Sequence, residues 1–191
     1  MKKKDVDILI SLLENDSTQI TISQLSKETN TDYKTVHDIV KRLEKENLIF
    51  LEKLGKAYNI VLNKKNHHCL FEAEFKRRED LIKNLDFKVL YNKLNNLSFP
   101  FISLIFGSNA KKEALYGSDI DLLIICEKNR ENDFESIISL LPLDIHLTTL
   151  NFEDFMDMAM SKEFTVVSEA MKNNIILVGI EDYYRMLNNV R

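Results

Sequence analysis

The sequence has few of the residues that interrupt regular structure or staple secreted proteins. Its 191 residues include four glycines, two prolines, two cysteines and no tryptophan. Cys69 and Cys126 lie far apart and match neither zinc-ligand spacings nor a disulfide framework, which favours a reducing compartment. No apolar run approaches the ~20 residues of a membrane span. Met1–Lys4 is basic, but Asp5 and Asp7 follow before any signal-peptide core, so we expect a cytoplasmic protein with no membrane partner.

Charge is distributed unevenly along the chain. Residues 1–99 hold 18 Lys and Arg against 15 Asp and Glu, whereas residues 100–191 hold 8 against 15. The two halves therefore carry +3 and −7, which give the net charge of −4. This asymmetry indicates two units with different partners, a first that tolerates a polyanion and a second that tolerates cations.

The first third of the chain has the signals of three successive helices. Apolar residues follow helical spacing over Val6–Leu13. Thr21 and Gln24 have the spacing of a capping box, which predicts the start of a second helix. Thr31 or Asp32 can cap a third helix, whose apolar stripe leaves another face for solvent or a partner.

Two β-prone runs follow these helices. Ile49–Glu52 and Tyr58–Leu62 flank a segment that contains Gly55, which predicts a hairpin. Three helices and a hairpin are typical of a winged helix-turn-helix. The stretch TISQLSKETNTDYKTVHDIVKRLEKENLI resembles the second helix, turn and recognition helix of that family.

The resemblance implies that the start of the third helix enters a DNA major groove and that the wing lies near phosphates. The candidate DNA contacts are Tyr33, Lys34, Thr35, His37, Lys41, Lys53 and Lys56. Residues 1–66 carry 12 basic and 10 acidic residues, a net charge of only +2. Because phosphate affinity depends on several well-placed cations, a protein-docking or dimerisation module is the alternative.

Residues 64–98 contain few turn formers and mix apolar with charged residues. They predict one or two connecting helices, with a break near Asp86. His67, His68 and Cys69 suggest a metal site, but adjacent residues of a helix point about 100° apart and no matching ligand set is nearby. We therefore predict a solvated helix start at these residues.

The chemistry is concentrated in the second half. A buried strand, Phe101–Phe106, is predicted to end at Gly107 and Ser108, where backbone amides and a hydroxyl can approach a phosphate. Ten residues later, Asp119 and Asp121 open another apolar run. Strand alternation places both carboxylates on one face, where their repulsion is relieved by a divalent cation.

A third carboxylate, Asp144, begins a predicted strand over Leu143–Leu150 and shares its face with His146. Three carboxylates on adjacent strands can hold two Mg²⁺ ions for phosphoryl or nucleotidyl transfer. From the residues alone the alternatives stay open, since paired aspartates also cap elements, pair with lysines or bind structural Ca²⁺. His146 is interpreted as a packed or supporting histidine.

The stretch FGSNAKKEALYGSDIDLLII resembles the signature of the minimal nucleotidyltransferases of the polymerase-β superfamily, Gly-Ser followed by ten residues and Asp-x-Asp. The resemblance extends over residues 99–180 and implies a helix near Phe152–Met160 and a final strand, Ile175–Gly179. It implies that Ser108 and the Gly107 backbone bind the phosphates of ATP, that Asp119 and Asp121 ligate both Mg²⁺ ions, and that Asp144 completes the catalytic and metal set. Lys111 and Ser118 complete the nucleotide-binding residues that this likeness implies.

One departure from the family pattern concerns Lys111 and Lys112, which stand where many relatives have Arg-Gly. Lysine keeps a point charge for phosphate but lacks the bidentate fork of arginine, and the missing glycine stiffens the loop. The likeness therefore leaves open whether the site is active.

Short proteins of this kind resemble the antitoxins that transfer AMP from ATP to a tyrosine of HEPN-domain toxins. The HEPN motif, Arg followed by four residues and His, does not occur in this sequence, so the toxin would be a separate chain. A winged helix suits an antitoxin that represses its own operon. The alternatives are a small-molecule adenylyltransferase and a DNA-binding regulator with an inactive nucleotidyltransferase fold. Homodimerisation stays open.

The predicted fold is α+β. It comprises a winged helix-turn-helix at residues 1–63, a helical connector at 64–98, and a nucleotidyltransferase fold at 99–191 with a small mixed sheet flanked by helices.

Overall fold

A computed structural model describes residues 2–16, 18–111, 117–161 and 163–188. The first unit of the chain has the predicted order of three helices and a hairpin. The chain divides into two units, Met1–Ala73 and Glu74–Arg191, and the predicted boundaries after residues 63 and 98 stay predictions. The elements of the first unit are α1 (Lys3–Glu14), α2 (Ile22–Glu28), α3 (Tyr33–Lys45), β1 (Ile49–Leu54) and β2 (Ala57–Leu62). They form a winged helix-turn-helix.

Side-chain caps start the second and third helices of this unit. Thr21 N–H donates to Gln24 Oε1 at 2.8 Å, and Gln24 N–H donates to Thr21 Oγ1 at 3.4 Å, so the predicted capping box is confirmed. Asp32, rather than Thr31, caps α3, because its Oδ1 accepts from Thr35 N–H at 2.9 Å. Both caps satisfy amides that lack partners within the helix.

The hairpin is longer than the sequence predicts. Antiparallel pairing runs from Ile49 opposite Leu62 to Leu54 opposite Ala57, so only two residues remain in the turn. Gly55 adopts a φ of 59°, a left-handed conformation that few other residues take without strain. This conformation lets the strands extend further toward the turn than their β-prone residues suggested.

The second unit is built around a four-stranded mixed sheet. Its strands are β3 (Ile102–Phe106), β4 (Ile120–Cys126), β5 (Ile145–Asn151) and β6 (Ile175–Val178), in the order β5-β4-β3-β6. β3 is antiparallel to β4 and to β6, whereas β4 and β5 are parallel. The helices after the boundary are α5 (Leu85–Asn95), α6 (Gly107–Ala110), α7 (Glu131–Ile138), α8 (Phe152–Met160), α9 (Val166–Lys172) and α10 (Ile180–Leu187).

Helices cover both faces of this sheet. One core joins α5 and α7 to alternate residues of β4, including Leu122 and Ile124. Phe155 of α8, Val167 of α9 and Tyr183 of α10 are also buried. The residues of β3 and β4 are therefore almost all buried, and the polar residues near the start of β4 lie at the end of this strand.

Two connecting helices are present, as predicted, but the break comes slightly earlier than Asp86. Helix α4 spans His68–Leu81, and Asn84 caps α5 by accepting a hydrogen bond from Asp86 N–H at 2.8 Å. The asparagine cap therefore sets the break, because an Asx turn competes with helix continuation.

Candidate active site

The Gly107 backbone forms one wall of the candidate site. β3 ends at Phe106, and Gly107 turns the chain into α6 with a φ of 66°. A Cβ added to Gly107 would lie 2.1 Å from Asp121 Oδ2, far inside van der Waals contact. Glycine is therefore favoured here by its left-handed backbone, and any side chain would also have to displace the Asp121 carboxylate.

Asp119 and Asp121 lie at the start of β4, as predicted. Asp121 is the second residue of the strand, is opposite Phe106 of β3, and keeps 30% of its side chain exposed. Asp119 directly precedes the strand and is exposed, and its carbonyl oxygen accepts a hydrogen bond from Asn109 Nδ2 at 2.7 Å. Asn109 therefore ties α6 to the residue before β4, a contact that the sequence did not predict.

His146 is the direct neighbour of Asp121 on β5. The parallel register pairs the two residues, and His146 Nδ1 lies 3.5 Å from Asp121 Oδ1. The histidine side chain is 75% exposed, so the expectation that it is a packed residue is wrong. Its contact with the carboxylate agrees with the other part of that interpretation, a supporting role.

Asp144 precedes β5 instead of opening it, since the strand begins at Ile145. Its carbonyl oxygen accepts a hydrogen bond from Ile120 N–H at 2.8 Å, which fixes the start of the parallel pairing. The exposed Asp144 lines a cavity of about 580 Å³ together with Ser118 and Asn109. Asp144 is thus close in the fold to the start of β4, but His146, not Asp144, is paired with Asp121.

The predicted phosphate-binding residues have differing environments. Ser108 is the half-buried second residue of α6, and Ser118 lines the same cavity as Asp144. Lys111 follows α6, with its Nζ 3.8 Å from Glu169 Oε1 of α9. Lys112, the other residue of the departure from the family pattern, lies outside the described residues.

The donor chemistry at the start of β4 fits Mg²⁺. Mg²⁺ prefers oxygen ligands, is often held by one or two protein carboxylates and keeps several waters. Asp121 has a carboxylate fixed against Gly107, and Asp119 supplies a second from the same edge of the sheet. Asp119, Asp121 and Asp144 do not form a closed cluster, because among the described residues only His67, His68 and Cys69 bring three donor atoms within 4.8 Å of one another.

The predicted DNA contacts lie on the surface of the first unit. Tyr33 is 57% exposed at the start of α3, Lys34 is exposed beside it, and Lys53 and Lys56 are exposed in the wing. The hydroxyl and amide of Thr35 hydrogen-bond to the carboxylate of Asp32 and lower its pKa. This anionic cap holds the N-terminus of the recognition helix.

Two of the predicted DNA contacts have acidic neighbours on the same helix. Lys41 Nζ lies 3.0 Å from Glu44 Oε2, and His37 Nδ1 lies 3.5 Å from Asp38 Oδ1. Both pairs are substantially exposed, so they are weak and can exchange for phosphate contacts. Lys34 is nearer the N-terminal end of α3 that enters a groove in this class of domain.

Two family models match the chain. Residues 88–182 match the model described as polymerase beta, nucleotidyltransferase, and residues 1–49 match the model described as winged helix-turn-helix DNA-binding. The first match contains Gly107 and all three candidate carboxylates, and the second contains α1, α2 and α3. The chain therefore combines a nucleotidyltransferase-fold domain with a winged helix-turn-helix DNA-binding domain.

A solved structure similar to part of the chain is the high-resolution crystal structure of AF1382 from Archaeoglobus fulgidus. It is 21% identical, with 44% of this chain and 92% of that chain covered, and a TM-score of 0.37. A comparison with curated proteins gives no significant match. Within the part of the chain that the structure describes, no helix combines the length and apolar character needed to cross a membrane.

Proposed function

We propose that the chain is a Mg²⁺-dependent nucleotidyltransferase that moves AMP from ATP to a hydroxyl of a protein acceptor. The observation that carries the proposal is the packing of the Asp121 carboxylate against Gly107 inside the segment that matches the polymerase beta model. This contact joins the start of α6, where we propose that phosphate binds, to a carboxylate that we propose binds the metal. The acceptor class we propose is a separately encoded HEPN-type toxin, with the winged helix binding operator DNA.

In this mechanism the first residues of α6 orient the nucleotide. The Ser108 hydroxyl and the Gly107 backbone bind phosphate oxygens of ATP, while Asp119 and Asp121 hold the metal. Bound Mg²⁺ supplies charge neutralisation of the phosphates. The acceptor oxygen attacks the α-phosphorus, its proton passes to the Asp144 carboxylate, and pyrophosphate leaves.

A second candidate function is a DNA-binding regulator whose nucleotidyltransferase fold is inactive. Two observations favour it. Asp144 lines a cavity with Ser118, whereas the strand neighbour of Asp121 is His146. Lys111, the residue proposed to meet the triphosphate, has an acidic neighbour in Glu169 at 3.8 Å, which offsets part of its charge. A small-molecule adenylyltransferase is the third candidate, and the assay below distinguishes it when small hydroxyl compounds are added as acceptors.

The test is transfer of label from α-³²P-ATP with Mg²⁺, using the full chain and the proteins that co-purify with it from its native cell. The informative variants are Asp119→Asn and Asp121→Asn, which keep side-chain size but remove charge. Asp157→Asn is the matched control, because Asp157 is an exposed aspartate of α8. Label on a partner protein that both site variants lose and the control retains supports the proposal.

Other outcomes separate the alternatives. Label on a small hydroxyl compound and on no protein supports the small-molecule enzyme. Absence of transfer, combined with sequence-specific DNA binding by the same preparation, supports the regulator and overturns the enzyme proposal. Transfer that persists in both aspartate variants overturns the assignment of the site.

A further inference from the structure

Three consecutive residues at the start of α4 form a donor cluster in the first unit. One possible ligand atom from each of His67, His68 and Cys69 lies within 4.8 Å of the other two. Cys69 Sγ is 3.3 Å from His68 Nε2, and the two imidazole ring centroids are 4.4 Å apart. The cluster is distant in sequence from the residues assigned to nucleotidyl transfer, and no comparison assigns it a role.

The sequence interpretation rejected this cluster because neighbours on a helix point apart. α4 begins at His68, so His67 precedes the helix and is not bound by helical spacing. Its ring turns back over the first turn, where Nδ1 accepts a hydrogen bond from Cys69 N–H at 3.2 Å. His68 is exposed, but Cys69 is only 5% exposed, so the predicted solvated start is wrong for the cysteine.

The cluster faces a cavity with room for an ion and water. The cavity measures about 450 Å³ and is lined by Lys2, Asp5, Arg42, Leu43, Glu46, His67, His68 and Cys69. Arg42 Nη2 is paired with Asp5 Oδ1 at 2.5 Å, so these two charges largely offset each other. Glu46, the residue after α3, also lines the cavity, although its carboxylate is not among the clustered donors.

We propose that His67, His68 and Cys69 bind a borderline-soft divalent cation of the Zn²⁺ type, with Glu46 or water as the fourth ligand. Imidazole and thiolate are the ligands that Zn²⁺ prefers. Zinc–nitrogen and zinc–sulfur bonds of tetrahedral sites place neighbouring donor atoms about 3.5 Å apart. The Sγ–Nε2 separation of 3.3 Å already fits, and all three donor atoms lie within 4.8 Å of one another, so the remaining separations would have to shorten when an ion binds.

The position of the cluster links metal binding to the DNA-binding domain. Glu46 follows the recognition helix α3, and His68 begins α4, so one ion would join the ends of two helices within the same unit. Because a ligand that binds only the folded state stabilises it, metal would raise the stability of this unit. Metal binding by this cluster is independent of nucleotidyl transfer.

The test is a titration of the full-length, reduced protein with Co²⁺, followed by displacement with Zn²⁺. Co²⁺ bound to a thiolate gives a charge-transfer absorption that carboxylate sites such as Asp119 and Asp121 do not give. We expect one equivalent of Co²⁺ to produce this band and Zn²⁺ to abolish it. Cys69→Ser should remove the band, and His68→Gln should weaken Co²⁺ affinity by more than about 100-fold, beyond the loss typical of outer-shell changes.

The matched control is Cys126→Ser, which changes the buried cysteine of β4 and should leave the band unchanged. His68 is exposed, so His68→Gln keeps the test valid if Cys69→Ser does not fold. The proposal is overturned by absence of the band in the wild-type protein, by a band that survives Cys69→Ser, or by undiminished affinity in folded His68→Gln.

Discussion

At the residue scale, the environment of Gly107 differs from that of the other glycine in the signature. Both Gly107 and Gly117 have left-handed backbones, with φ of 66° and 82°. A Cβ at Gly107 would meet the Asp121 carboxylate at 2.1 Å, whereas a Cβ at Gly117 would meet no described atom within 4 Å. A side chain at Gly117 therefore adds backbone strain alone, whereas a side chain at Gly107 adds backbone strain and also displaces the Asp121 carboxylate.

Replacement of each glycine by alanine tests this distinction. Gly107→Ala and Gly117→Ala should both lose about 1–2 kcal/mol of unfolding free energy, because both place a side chain on left-handed backbone. Only Gly107→Ala should also lose AMP transfer, by about 100-fold or more, since it displaces Asp121. Urea unfolding and single-turnover transfer rates measure the two effects, and equal transfer rates in the two variants would contradict the role assigned to Gly107.

Asp144, which precedes β5, and His146, which lies within it, have different predicted roles. Asp144→Asn should lower AMP transfer about 100-fold, as expected for loss of a general base. His146→Gln should lower it about 10-fold and raise the Mg²⁺ concentration needed for half-maximal rate, because His146 contacts Asp121, the carboxylate proposed to bind the metal. Rates measured across a Mg²⁺ titration decide between them. A larger loss of rate in His146→Gln than in Asp144→Asn would identify His146, and not Asp144, as the general base.

At the element scale, local signals predicted the order and type of most helices and strands. Thr21 and Gln24 identified α2 because a capping box is encoded within four residues. The segment Phe152–Met160 was predicted as a helix and is α8. The predicted final strand, Ile175–Gly179, ends one residue earlier, because Gly179 has a φ of 79° and precedes α10.

Long-range pairing explains what the sequence did not reveal. The contact between Asp121 and His146 depends on the register of two parallel strands, which no local pattern specifies. The occupation of the Gly107 side-chain position by Asp121 likewise depends on the pairing of β3 with β4. The sequence thus predicted which residues lie near the start of β4 but not which of them are neighbours.

The recognition helix α3 carries a prediction about salt dependence. Lys34→Ala with Lys41→Ala should weaken DNA binding and reduce the slope of log affinity against log salt by about 1 to 2, roughly one per lost phosphate contact. Lys34→Ala alone should account for at least half of the change, because Lys41 must first exchange its contact with Glu44 for a phosphate. Fluorescence anisotropy over a salt series gives the slopes.

Lys83→Ala is the control for that measurement, since Lys83 is an exposed lysine of the second unit and lies outside the winged-helix match. Its slope should equal that of the wild-type protein. An unchanged slope in the double variant would remove α3 from the DNA interface and favour the protein-docking alternative.

At the scale of the whole molecule, a buried polar network connects distant segments of the second unit. Tyr184 Oη donates to Glu74 Oε1 at 2.8 Å, and Arg77 Nη1 donates to Glu74 Oε2 at 2.7 Å. Arg77 Nη2 also donates to the carbonyl oxygen of Asn174 at 2.7 Å. Burial and the neighbouring Glu74 raise the pKa of Tyr184 well above its usual value, so the phenol stays a hydrogen-bond donor.

Removal of a single hydroxyl tests the contribution of this network. Tyr184→Phe should lower the free energy of unfolding of the second unit by about 1–3 kcal/mol, because the buried Glu74 carboxylate loses a donor. Hydrogen exchange of the β6 amides in the full chain reports this unit separately. Tyr33→Phe, at an exposed tyrosine of the first unit, should leave that exchange unchanged. Unaltered exchange in Tyr184→Phe would show that the network adds no stability.

The contact between Gly107 and Asp121 also has a genetic consequence. Once Asp121 is replaced by a smaller residue, a Cβ at Gly107 no longer meets a carboxylate oxygen, and only the cost of the left-handed backbone remains. Substitutions at the two positions should therefore show strong epistasis, with the second change nearly silent for activity. Position 107 should therefore vary mainly in homologues that lack a carboxylate at position 121, and the loss of this glycine would mark homologues in which the proposed metal site is absent.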